Sequence, residues 1–241
     1  YGSLTTLEVS VKRFSCLFRL SNDRIQSPRY AFKEIQVILK KLELGAYGAN
    51  CYIVGDEETK TGMVIDPGAE GALILKNVKT LALDITKIVL THSHVDHIGA
   101  LAEVKKATGA DIYIHELEAN SLQRQPFGMI LANSIPKADV LVKNGDTIQL
   151  GKIKFTVLHT PGHTQGGMSL YTDGAVFTGD TLFNFSVGRA DFPGSDFDQE
   201  ITSILQQLMV LPDETVVCPG HGPDSTIGFE KRGNPFLHGE R

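Results

Sequence analysis

No tryptophan occurs in this chain of 241 residues, and cysteine occurs three times. Cys16, Cys51 and Cys218 have no CxxC spacing, and an odd, scattered set does not make a disulfide framework, so a reducing, cytoplasmic compartment is expected. Cys218 stands near His221 in sequence but reads as a small buried hydrophobe at a strand end rather than as a ligand. There is no apolar run of the ~18 residues that a membrane-spanning helix needs, so no membrane span is expected. Basic residues are not in excess either: 23 Lys and Arg against 28 Asp and Glu leave a net charge of −5, and without a basic cluster nucleic acid is not an expected partner. Nothing sets an oligomeric state. What is present is 41% apolar residues, enough for a substantial core and one large domain.

Residues 1–34 stand apart as an N-terminal extension. Lys12, Arg13, Arg19, Arg24, Arg29 and Lys33 outnumber Glu8, Asp23 and Glu34, but the apolar stretch of a secretory signal is missing, and the segment is left unassigned. The domain is expected over 35–241. Its first hairpin is predicted from 35–44 and 50–55, joined by LGAYGAN, followed by a strand at 63–66 that Asp66-Pro67-Gly68 ends in a turn. A helix over 70–81, a strand at 85–90, a helix over 98–108 closed by Gly109 and a strand at 111–114 then alternate. From 116 to 140 Pro126, Gly128 and Pro136 interrupt any period, which predicts an irregular flap, with His115 at its start read as structural. Strands are predicted at 147–150, 153–158, 168–171 and 175–178, the last two joined at Asp173-Gly174, then a helix over 199–211, a strand at 215–218 and a terminal helix over 226–237. Two strand-rich halves, each with helices, imply two sheets face to face with helices outside.

Chemistry concentrates at Thr91–Gly99, THSHVDHIG, which packs His92, His94, Asp96 and His97 into a strand-to-helix turn. Alternate side chains of an extended stretch share a face, so His92 and His94 can grip one cation while the turn swings Asp96 and His97 toward another. A solvated, histidine-rich loop is the plain alternative. Three later stretches weaken it: LHTPGHT offers His163, FTGDTL offers Asp180, and VCPGHGP offers His221, each after an apolar run.

This HxHxDH motif with its three later partners resembles the metallo-β-lactamase-fold hydrolases, and over about residues 35–238 the chain looks like their short bacterial glyoxalase II-like (hydroxyacylglutathione hydrolase-like) branch. The resemblance implies an α/β (α+β) fold, the four-layer αββα metallo-β-lactamase sandwich. It gives His92, His94 and His163 to a first metal, Asp96, His97 and His221 to a second, and Asp180 to both. Asp96 and Asp180 are the expected catalytic carboxylates. Asp66, which could merely form its turn, is implied to lie behind the site and orient a ligand histidine. Two divalent ions per chain are expected, zinc first, with iron and manganese compatible with His and Asp ligands.

Two cations about 3.5–4 Å apart can share a water and bring its pKa to about 7, so a hydroxide bridging two metal ions is the expected nucleophile. A thiolate, its parent thiol near pKa ~8.5, leaves without a strong general acid, which suits a small thioester such as the glutathione thioester S-lactoylglutathione. Gly188-Arg189 matches the position where glyoxalase II enzymes place a basic residue on the glutathione carboxylate, making Arg189 the expected substrate-binding residue. Surface pairing of Arg189 with Asp191 or Asp196 is its alternative. The C-terminal helical domain with which glyoxalase II completes glutathione binding has no counterpart in the 20 residues after His221. Two other readings remain: a single-iron persulfide dioxygenase of the same fold, which shares a GR-x-DF segment like Gly188–Phe192 but has no use for His221, and a non-catalytic metal-binding protein.

Overall fold

Short runs rich in Val, Ile and Phe become strands wherever a turn residue bounds them, and their burial sets their place in the sandwich. A computed structural model describes residues 11–12, 37–123 and 135–239; the sequence expectations for the rest of 1–36 and for 124–134 lie outside the described residues. The first sheet runs in sequence order through β1 (Val11–Lys12), β2 (Val37–Leu44), β3 (Ala49–Asp56), β4 (Thr61–Ile65), β5 (Asp84–Val89), β6 (Asp111–His115) and β7 (Val140–Val142). Its members are antiparallel as far as β4 and parallel from β4 to β7. The second sheet comprises β8 (Thr147–Leu150), β9 (Ile153–His159), β10 (Met168–Thr172), β11 (Ala175–Gly179), β14 (Val216–Pro219) and β15 (Ser225–Thr226), and a small hairpin, β12 (Leu182–Phe183) with β13 (Ser186–Val187), stands beside it.

Three apolar clusters account for four layers. Tyr52, Met63 and Val89 of the first sheet meet Phe155, Leu170 and Phe177 of the second in a central core. The outer face of the first sheet is covered by α1 (Gly71–Thr80) and α3 (Leu101–Thr108), which bury Ile74 and Val104 against Ile53 and Ile88. The outer face of the second is covered by α5 (Phe197–Ser203), its π-helical continuation Ile204–Leu208, and α6 (Ile227–Gly233). β3, sandwiched between layers, is buried at every residue, whereas β8, near an edge, alternates between buried and exposed. Among the described residues no helix is long and apolar enough to cross a membrane.

Several helices differ from the periodic reading. The predicted 98–108 helix begins only at α3; Ile98 instead ends a separate short helix, α2 (Val95–Ile98), and the break between them falls where Gly99 backs onto the Gly68 carbonyl. The terminal helix stops at Asn234 because Pro235 cannot continue its hydrogen bonding, and a 3-10 turn, Pro235–His238, follows. The expected flap contains α4 (Ala119–Gln123), and β7 lies parallel to β6.

Asp56, buried at the end of β3, fastens the two sheets at one end: it accepts from Lys152 N at 2.6 Å across the sandwich and from Glu58 N at 2.9 Å locally. Burial alone would raise its pKa, but these N–H donors together hold it below the ordinary carboxylate range. A depressed folded-state value means the stabilisation is present above the unfolded value of about 3.9 and is lost as pH falls through the folded one. Asp56→Ala should therefore cost about 2 kcal/mol in urea unfolding at neutral pH, and the gap to wild type should shrink below about pH 4. A loss under ~0.5 kcal/mol would show that the staple contributes little.

Candidate metal centre

The strands fix where the chemistry can be. Asp66 follows β4, the THSHVDH turn follows β5, His163 follows β9, Asp180 follows β11 and His221 follows β14. Because β9, β11 and β14 run in one direction, as do β4 and β5, each group leaves the carboxyl end of its strand at one rim of the sandwich. Backbone contacts between loops bring the sheets' rims together: Met168 N donates to Thr91 O at 3.0 Å and Asn50 N to Gly220 O at 2.7 Å. Two glycines are required by close approach. A side chain at Gly68 would strike the Asp96 carbonyl, and one at Gly220 would strike the Asp180 carboxylate.

The result is two neighbouring clusters whose candidate donor atoms lie within 4.8 Å of one another, His92 with His94 and His163, and Asp96 with His97 and His221. His163 Nε2 is 2.9 Å from His94 Nδ1, and His97 Nε2 is 3.4 Å from His221 Nε2. Asp180 lies between them. Its Oδ2 is 4.0 Å from His92 Nε2, 3.7 Å from His163 Nε2 and 3.5 Å from His221 Nε2, and its Oδ1 is 3.3 Å from His97 Nε2.

Partners behind the rings decide which nitrogen faces inward. His163 Nδ1 is 2.7 Å from the Arg189 carbonyl, which can only accept, so Nδ1 carries the proton and Nε2 is bare. Asp66 Oδ2 takes His97 Nδ1 at 3.0 Å. It also accepts from Thr91 Oγ1 at 2.6 Å, which leaves that hydroxyl as an acceptor for His92 Nδ1 at 3.0 Å. His92 Nε2 is then buried with no hydrogen-bond partner. Burial lowers the His92 pKa further, keeping its ring neutral. Burial would do the same to His97, but Asp180 and Asp66 outweigh it and push that pKa well up. Asp180 is held well below the carboxylate range despite its burial, by His97, His92 and His221. His221 is raised by its hydrogen bond to Asp96, 3.2 Å away. Inward-facing ring nitrogens around a buried, charged carboxylate are a donor set that a divalent cation, which displaces any ring proton, satisfies.

A family model, the metallo-beta-lactamase superfamily, matches residues 44–221, from the end of β2 to His221 itself. The chain belongs to the metallo-beta-lactamase superfamily. Among its relatives, hydroxyacylglutathione hydrolase GloC of Haemophilus influenzae is 35% identical over 201 residues, covering 80% of this chain and 94% of that one. Among solved structures, the BLEG-1 B3 metallo-beta-lactamase superposes with a TM-score of 0.76 at 34% identity, covering 84% of this chain and all (100%) of that one. TTHA1623, solved in a di-iron-bound form, gives 0.72 at 38% identity, covering 82% and 100%. The four-layer sandwich of the superfamily is thus the fold observed.

Within this metallo-beta-lactamase-superfamily site, Arg189 lies at the rim and makes the contact named as its alternative. Its Nε and NH2 bond Asp191 Oδ1 and Oδ2 at 2.7 Å each, and its guanidinium stacks over Phe192 at 4.2 Å. Phe192 in turn sets its edge against His94, ring centres 5.4 Å apart. His115 is outside both clusters, stacked on His159 at 4.0 Å. Sequence reasoning passed over two buried acids. Glu118 binds the backbone of both histidine-bearing loops, and Glu200, packed against Gly162, is lifted by burial to about 9. Neither has a sequence signal beyond being an acid in a helix-forming stretch.

Proposed function

We propose that the chain is a dinuclear metallohydrolase of small thioesters, S-lactoylglutathione among them. His92, His94 and His163 would hold one divalent cation and Asp96, His97 and His221 the other, with Asp180 available to both. The observation that carries this reading is the place of Asp180, within 4.0 Å of ring nitrogens from both clusters and aimed at the gap between them. The likeness to GloC supports the substrate class.

When bound, the cations supply Lewis acidity that brings water toward deprotonation at neutral pH and polarises a carbonyl oxygen. The chain's residues do the remainder. Asp66, Thr91 and the Arg189 carbonyl engage Nδ1 of His97, His92 and His163, so that each Nε2 faces inward. Asp96 and Asp180 supply negative charge that would offset part of that of the cations. Phe192, its ring against His94, offers an apolar surface beside the first cluster for an acyl group. A thiolate, the conjugate base of a weakly acidic thiol, leaves without a strong general acid.

Metal analysis coupled to a screen of thioesters, lactones, β-lactams and persulfides on the freshly purified full chain tests this. About two cations per chain with turnover of S-lactoylglutathione is the expected result. A single iron with oxygen consumption on glutathione persulfide overturns it in favour of the dioxygenase, and intact metal without any turnover favours a binding protein. Arg189 must exchange Asp191 for a substrate carboxylate, so its net gain is modest. Arg189→Ala should raise KM about three- to tenfold with kcat nearly unchanged, the pattern of a contact equally strong in ground and transition states. A collapse of kcat at constant KM would assign Arg189 to another role.

A further inference from the structure

We infer that Glu118 is the positioning residue that sets the geometry of the first cluster, by tying the loop that carries His92 and His94 to the loop that carries His163. The inference rests on the metal-site reading above and adds to it a residue outside the ligand set. Glu118 lies in the turn between β6 and α4 and is 2% exposed. Its Oε1 accepts from Ser93 N at 3.1 Å and from Ser93 Oγ at 2.6 Å, and its Oε2 accepts from Gly166 N at 3.1 Å. Ser93 is the residue between His92 and His94, and Gly166 lies three positions beyond His163. The two loops belong to different sheets, so one carboxylate spans the joint between the halves of the sandwich at the point where three ring nitrogens must converge.

The packing makes this contact specific to Glu118. A side chain at Gly166 would run into the Glu118 backbone, so the loop meets it directly with its own backbone. All three donors are N–H or O–H groups, and a carboxylate offers acceptors to every one of them. An amide cannot do so: in Glu118→Gln one of the two oxygens becomes an NH2 that faces a donor. A shift of even a few tenths of an ångström between the loops changes the His94 to His163 nitrogen separation, now 2.9 Å, on which shared ligation depends. Hydrogen-bonded groups behind a metal ligand typically alter affinity about 10- to 100-fold when lost. Asp66 serves both clusters, through His97 and through Thr91 behind His92, and the second cluster has separate support in Asn50, whose Nδ2 donates to Pro219 O at 2.9 Å.

The test compares stepwise zinc affinities of the metal-free full chain and Glu118→Gln, measured by competition with a chromophoric chelator, together with imidazole nitrogen spectra of the zinc-loaded forms. One of the two constants should weaken about 10- to 100-fold and the other by less than about threefold. The resonances of His92, His94 and His163 should move while those of His97 and His221 stay. Ser93→Ala, which removes only the hydroxyl donor, should reproduce a weaker form of the same selective change. Equal weakening of both sites, accompanied by a lower unfolding midpoint of the metal-free protein, would make Glu118 a general scaffold residue and overturn the inference. Unchanged constants and spectra would overturn it too. A wild-type chain that binds only one zinc, or none, would instead overturn the dinuclear reading itself, and the inference with it.

Discussion

Asp180→Ala should hold less than one cation per chain and lose thioester hydrolysis by about 10²–10³-fold or more. The expectation follows from what faces the carboxylate. Ring nitrogens of His97, His221, His163 and His92 surround it at 3.3, 3.5, 3.7 and 4.0 Å, and those of His97, His163 and His92 are turned inward by partners on their far sides. Without Asp180 both cations lose a ligand, and nothing between them offsets their repulsion. Even a pair of unit charges ~4 Å apart costs about 4 kcal/mol at an effective dielectric of ~20, and divalent ions multiply that. Asp180→Asn separates charge from shape: it keeps an oxygen in place but carries no charge, and should retain one cation with little turnover. Elemental analysis and S-lactoylglutathione kinetics on both variants decide the matter. Two cations and normal turnover in Asp180→Ala would remove Asp180 from its shared position.

The second large effect is expected at His221. Its ring is partly exposed, with 27% of its side chain accessible, and its loop is held independently of the ring: the Ala49 backbone bridges to His221, and Asn50 Nδ2 donates to Gly222 O at 3.0 Å. Truncating it therefore empties a donor position without opening a cavity in the core. His221→Ala should bind about one cation instead of about two, lose hydrolysis by orders of magnitude, and keep its far-ultraviolet circular dichroism. The first cluster would remain complete, with His92, His94, His163 and Asp180. A wild type with one iron and a His221→Ala variant that still oxidises glutathione persulfide would reject the dinuclear hydrolase and establish the dioxygenase instead.

The residues at the rim could be located from sequence because each is a polar group set directly after a strand-forming run, and a strand's end needs only local information to predict. The alternation in THSH and the turn after it likewise depend on neighbours. What binds those groups together is non-local. Glu118 is 25 positions from Ser93 and 48 from Gly166, and nothing in ELEAN distinguishes a buried clamp from an ordinary solvated helix start. The break between α2 and α3 depends on Gly68 reaching Gly99 from another loop, so the apolar period alone ran through it. The π-helical turns at Ile204–Leu208 follow an unbroken helical pattern in sequence, and their geometry is a matter of packing on the second sheet. Arg189 illustrates competition: a charge complementary to a ligand is equally complementary to Asp191 two residues away, and the near partner holds it here.

The rim where the two sheets meet also bears on how long the folded chain lasts. His97 and His221 are 124 positions apart, and His94 and His163 are 69. Closing such distances costs chain entropy that local contacts do not repay, so these groups converge only after both halves have formed and docked. It follows that a cation gripping them acts on the finished product, outside the rate-limiting ensemble. Interactions of that kind leave the rate of folding nearly untouched and slow the reverse process. Metal starvation would then shorten the lifetime of the native chain and expose it to proteolysis, while newly made chains continue to fold at their usual pace.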